Sequence, residues 1–162
     1  MSAPSPLPAA LEVRELIEGL LGRDLDVTVG AAAVDPAAPG GAMVGVFVDD
    51  MLKLKTIIVV DLALAANVGA AIGLIPAQAA RTAVEEERLT PALYENAAEI
   101  LNVSASLFNH EGAPHVRLYE AYAPREALPP DVTQWVLAYV RRLDLEVAIA
   151  GYDSGRMSIL AL

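Results

Sequence analysis

A chain of 162 residues has room for one domain with a real core and too little for two. A net charge of −10 excludes a broad nucleic-acid or anionic-membrane surface, because neutralising phosphates takes clustered Lys and Arg and the only tight basic pair is Arg141-Arg142; a protein partner fits better. Without cysteine there is neither a disulfide framework nor a thiolate metal site, and a composition 55% hydrophobic but 5% aromatic implies a core of Ala, Val, Leu and Ile packed at short distances.

Residues 1 to 8 lack a basic region followed by an apolar run, so they read as a short disordered leader before a domain spanning 9–162, and a cytoplasmic location is expected. Residues 9 to 22 place Leu11, Leu16, Ile17, Leu20 and Leu21 on one helical face, with Gly22 as a stop. Leu25 to Val34 reads as a strand, and 35–41, rich in Pro and Gly, as a loop. Met43 to Val48 and Leu52 to Val60 are β-rich runs around Asp49-Asp50, which predicts an antiparallel hairpin; the Lys53/Lys55 alternation suggests one wet face.

From Asp61, a candidate cap, the pattern turns helical up to Gly73, and a second short helix runs from Pro76 into the acidic Glu85-Glu86-Glu87. Leu62 to Ala80 carries no formal charge and approaches the length of a membrane span, yet it is rich in Ala and Gly and contains Asn67, Pro76 and Gln78. A buried helix broken at Pro76 is the better reading, and no membrane insertion is expected. After the helix that opens at Thr90, Val116 to Tyr122 alternates as a strand, and Pro129-Pro130 precedes an amphipathic stretch from Asp131 to Val140, where Trp135 reads as core. Leu145 to Gly151 and Met157 to Leu162 are joined by a turn sequence, and no repeat is evident.

The most informative segment is Thr90 to Phe108. Thr90 is a ready N-cap and Pro91 suits the first helical position. Leu93, Ala97, Ile100, Leu101, Leu107 and Phe108 supply an apolar face to one helix, while Glu95, Glu99 and Asn102 fall on one stripe because offsets of four and three residues superpose side chains one turn apart. By itself such a stripe is an ordinary solvated face.

Other chemistry finds little support. His110 and His115 flank Gly112 and Pro114 at a spacing that matches no common ligand motif, so no metal site is expected. Gly40-Gly41 lacks the strand-to-helix context and the Lys-Ser/Thr of a phosphate loop, and Ser154 has no base placed by any motif. A metal-dependent hydrolase built on Asp49, Asp50, Asp61 and the histidines is a weaker reading, since turns and caps account for these aspartates.

The order of elements from Val44 to about Pro124 resembles the CheC/CheX/FliY family of bacterial chemotaxis phosphatases. That family carries, on a long helix after a hairpin and a Gly-containing helix, a Ser or Asp, three residues, a Glu, two residues and an Asn. The matching positions are Glu95, Glu99 and Asn102 in a single copy, as in the CheX branch. Two departures stand out: Glu95 replaces the usual Ser or Asp, and Ser106 stands where the family often has Gly. The resemblance implies an α+β domain, a mostly antiparallel sheet packed with helices, and a phosphorylated CheY-type response regulator as substrate. It implies Glu99 and Asn102 as catalytic residues, Glu95 and Ser106 as partner contacts, no cofactor of the chain's own, and Mg²⁺ held by the regulator. A homodimer is expected from the resemblance and from Met157–Leu162 read as an open sheet edge. The competing class is a non-catalytic binding protein of the same fold in chemotaxis, the flagellar switch or two-component signalling.

Overall fold

The computed structural model describes residues 3–162. Helix α1 (Ala10–Leu21) forms where Val13, Ile17 and Leu21 recur at helical spacing and are buried; Glu12 accepts from the Ala9 N–H at its start, and Gly22 ends it at φ 65° in the left-handed region. Strand β1 (Leu25–Val29) is shorter than the run expected up to Val34, because Gly30 turns the chain at φ 91°. The predicted hairpin is β2 (Ala42–Val48) with β3 (Leu54–Asp61). Helices α2 (Leu62–Ile72), α3 (Ala77–Glu85) and α4 (Pro91–Val103) follow, then a 3-10 turn at Ser104–Leu107 and strand β4 (Arg117–Tyr122). A short helix α5 (Pro130–Val136) leads into β5 (Arg141–Ile149) and β6 (Ser154–Ala161).

The six strands form one sheet in the order β1-β5-β6-β3-β2-β4, every neighbouring pair antiparallel. Alternation along the strands splits the apolar side chains between two faces. Met43, Phe47, Ile58, Val60, Leu145 and Ile159 pack under α1, α2 and α4, whereas Val44, Val46, Ile57, Val59 and Leu160 pack under Val132 and Val136 of α5. Helix α3 lies outside α2, joined to it through Ala66, Ala70, Ala80 and Ala83. This is the α+β architecture expected from the sequence.

The connectivity holds a repeat that the sequence conceals. A helix, a strand and an antiparallel strand pair occur twice, as α1-β1-β2-β3 and α4-β4-β5-β6, and each single strand crosses to pair with the other unit: β1 with β5, β4 with β2. Helix α4 is thus the topological counterpart of α1.

Three expectations require correction. The Lys53/Lys55 alternation does not give β3 a wet face: β2 and β3 are central and buried on both sides, and Lys55 is itself buried, with its Nζ donating to the Ala3 carbonyl at 3.2 Å. The same contact, with Arg141 donating to the Ser5 carbonyl at 2.9 Å, lays residues 3–8 along the domain rather than leaving them as a disordered leader; Met1 and Ser2 lie outside the described residues. Strand β6 is paired on both sides, with β3 and β5, so Met157–Leu162 is no open edge and the structural ground for a homodimer there disappears. The uncharged run from Leu62 is broken between α2 and α3, and no helix among the described residues is long and apolar enough to cross a membrane.

Asp61 caps α2, its Oδ1 accepting from the Leu64 N–H at 2.8 Å. Burial raises its carboxyl above the ordinary aspartate range, outweighing the hydrogen bonds from Leu64 and Arg156 and the Arg156 charge. A raised folded-state pKa makes ionisation the costly event: the penalty is present above that pKa and fades as pH falls towards the unfolded value. Asp61→Asn, which retains an acceptor for the cap, is therefore expected to raise Tm at neutral pH, the gain vanishing on acidification below the ordinary carboxylate range. Melting curves across pH test this, and a gain independent of pH overturns it.

Candidate functional site

Helix α4 begins as its sequence dictates, with the Thr90 hydroxyl accepting from the Leu93 N–H at 3.2 Å and Pro91 in the first turn. Leu93, Ala97, Ile100 and Leu101 are buried against the sheet and α2. The Ser104 hydroxyl donates back to the Ile100 carbonyl at 2.6 Å as the chain tightens into the 3-10 turn, which breaks the single long helix that periodicity suggested.

Three contacts fix the helix about its own axis. On one flank Asn96 Nδ2 donates to the Gly69 carbonyl of α2 at 2.9 Å; on the other the Tyr94 hydroxyl donates to the Ala121 carbonyl of β4 at 3.0 Å. Burial, then the nearby Glu126 and Glu120, push the Tyr94 hydroxyl above the ordinary tyrosine range, so it remains a protonated donor at neutral pH. Beyond the 3-10 turn, the fully buried Phe108 packs on Phe47 of β2, ring centroids 5.6 Å apart and planes tilted by 58°. No local pattern in the sequence marks Tyr94, Asn96 or Gly69, because each acts through a partner on another element.

Glu95, Glu99 and Asn102 stand on the exposed stripe between those flanks, and Ser106 continues it on the 3-10 turn; all four residues are exposed. None of their side chains makes a hydrogen bond or ion pair among the described residues. Two carboxylates, an amide and a hydroxyl are thus presented to solvent on a helix whose orientation is fixed from beneath. This arrangement suits docking against a partner with a basic rim, with a donor-acceptor amide at its centre.

Two of the three aspartates of the alternative metal reading are engaged elsewhere, and Asp50 is exposed at the hairpin tip. Asp49 Oδ1 accepts from the Met51 and Lys53 N–H groups at 2.9 and 3.0 Å, shaping the hairpin tip, and Asp61 caps α2. His110 Nε2 lies 2.9 Å from the Leu107 carbonyl and 3.8 Å from Glu12. Among the described residues no three His, Asp or Glu side chains gather as a metal ion requires.

An antiparallel sheet of crossed units, with a polar stripe on the helix over one unit, defines a class of α+β domain, and solved structures show which. FliY from Thermotoga maritima is similar at 14% identity with a TM-score of 0.53, over 91% of this chain and 81% of that one. A FliM–SpeE complex from H. pylori is similar at 8% identity and 0.52, over 94% and 80%, and a FliG–FliM complex from H. pylori at 9% and 0.50, over 94% and 85%. The chain has the CheC/CheX/FliY fold. No protein-family model and no curated protein matches it.

Proposed function

We propose that this chain is a CheX-like protein that hydrolyses the aspartyl phosphate of a phosphorylated CheY-type response regulator. The observation that carries the reading is the exposure of Glu99 and Asn102 side by side on one stripe of a fixed helix, with neither side chain engaged inside the domain. The acyl phosphate and its Mg²⁺ belong to the regulator, so this chain supplies only positioning. The Asn102 amide, donor and acceptor at once, holds a water in line with phosphorus; the water oxygen bonds to phosphorus as the bond to the aspartyl oxygen breaks, releasing carboxylate and inorganic phosphate. Glu99 pairs with the lysine of the regulator's site, and Glu95 and Ser106 extend the contact surface.

Following acyl-phosphate decay of a cognate regulator with and without the chain tests the reading directly. Glu99→Lys is expected to weaken docking at least about tenfold by placing like charges together. Wild-type association is expected to slow as salt rises, and a salt-independent on-rate removes the acidic stripe as the docking surface. Glu95→Ser separates recognition from chemistry: weaker binding with an unchanged or higher rate at saturation is expected, whereas a rate loss equal to that of an Asn102 variant makes Glu95 catalytic.

A second reading rests on the likeness to the FliM complexes: a domain of this fold that binds a regulator or flagellar partner without hydrolysing anything. The same decay measurement decides, since such a protein binds the phosphorylated regulator and leaves its lifetime unchanged.

A further inference from the structure

Both lysines of the chain, Lys53 and Lys55, border one cavity of about 620 Å³, together with Arg141 and the single tryptophan, Trp135. Leu54 and Val140 add apolar wall, and Asp131 is the only acidic side chain on the lining. Three basic side chains and one acidic side chain therefore border it, with Lys55 already donating to the Ala3 carbonyl and the C-terminal Leu162 also on the lining, in a chain with 11 basic and 21 acidic residues. The cavity lies at the α5 side of the sheet, away from the stripe on α4.

The polar groups there are incompletely used. Arg141 donates from Nη2 to the Ser5 carbonyl, while its Nε and Nη1 carry no hydrogen bond, and neither Arg141 nor the exposed Lys53 forms an ion pair among the described residues. The Trp135 indole N–H has no acceptor among them either. The volume falls in the range of small-ligand sites, and an apolar wall with a few converging donors is the usual make-up of such sites. A chain of net charge −10 repels an extended anionic surface, so one anion held in a cavity fits better than a membrane face.

We propose that this cavity binds a small amphipathic organic anion, a carboxylate on an apolar chain, with its head between Lys53 and Arg141 and its body against Trp135, Leu54 and Val140. Charge-assisted hydrogen bonds from Arg141 orient the head, and burial of the tail supplies the remaining affinity.

Because Trp135 is the only tryptophan, its emission reports occupancy. Titration of the full chain with decanoate below its micelle concentration is expected to give a saturable emission change with one ligand per chain by calorimetry. Lys53→Glu and Arg141→Glu are each expected to weaken binding about tenfold or more. Decyltrimethylammonium, with the same tail and a cationic head, is expected to bind at least about tenfold more weakly than decanoate. Lys53 is exposed, so its variant keeps the test valid if the Arg141 variant does not fold. The absence of a saturable change, equal affinity for the two head groups, or indifference to Lys53→Glu overturns the proposal.

Discussion

Replacing Asn102 by alanine is expected to return the phosphorylated regulator to its intrinsic decay rate, a loss of roughly a hundredfold in acceleration, while its affinity changes little. The structure makes this a clean experiment. Asn102 is exposed and its side chain bonds to nothing among the described residues, so its removal breaks no internal contact, and alanine is the better helix former. A lost rate therefore reports lost chemistry. Asn102→Gln sharpens the test, because it retains both amide functions but displaces them by one methylene. A shift of about 1 Å in a positioned nucleophile is sufficient to cost on the order of a hundredfold, so glutamine is expected to fail nearly as badly as alanine. If the alanine variant still accelerates decay, Asn102 does not hold the water; if the wild-type chain binds the regulator without shortening its lifetime, the non-catalytic reading stands.

The stripe could be read from sequence because helical period is a local property: Thr90 and Pro91 start the helix, and offsets of four and three residues fix which side chains share a face. The hairpin and the α2 cap were readable for the same reason. What orients the helix was not readable, since Tyr94 and Asn96 each find their acceptor 27 residues away in sequence. The start of β5 was hidden for a related reason. Arg142 and Asp144 look like surface residues, yet Asp144 accepts from Arg142 at 3.0 Å and from Ser158 at 2.6 Å, while Arg142 also reaches the Val136 and Ala138 carbonyls. Ser158 in turn accepts from the Val34 N–H at 3.0 Å, so four separate segments satisfy one polar network. The buried Lys55 and the contacts of residues 3–8 were hidden in the same way, and the crossed repeat resides in pairing order, which leaves no mark on composition.

Gly69→Ala is expected to destabilise the fold and to impair hydrolysis although no stripe residue is altered. A Cβ at position 69 meets three atoms of Leu93, all backbone: its carbonyl oxygen at 2.5 Å, its Cα at 3.2 Å and its carbonyl carbon at 3.3 Å. Backbone in the first turn of α4 cannot swing aside as a side chain does, so α2 and α4 must separate, at roughly 1–3 kcal/mol. For a chain of this size each kcal/mol lowers Tm by about 2–4 °C. Separation also strains the bond from Asn96 to the Gly69 carbonyl, which holds the helix about its axis, so Asn102 is displaced relative to a docked regulator. The companion variant Gly73→Ala isolates that effect: its Cβ meets Asn96 Nδ2 at 2.5 Å and Ile75 Cδ1 at 3.3 Å, both movable ends of side chains, so the main loss is the hydrogen bond, at about 1 kcal/mol. The expected order in both Tm and saturated rate is therefore wild type, then Gly73→Ala, then Gly69→Ala. A Gly69→Ala protein that melts with the wild type shows that α2 and α4 separate freely, and the account of how the stripe is held fails with it.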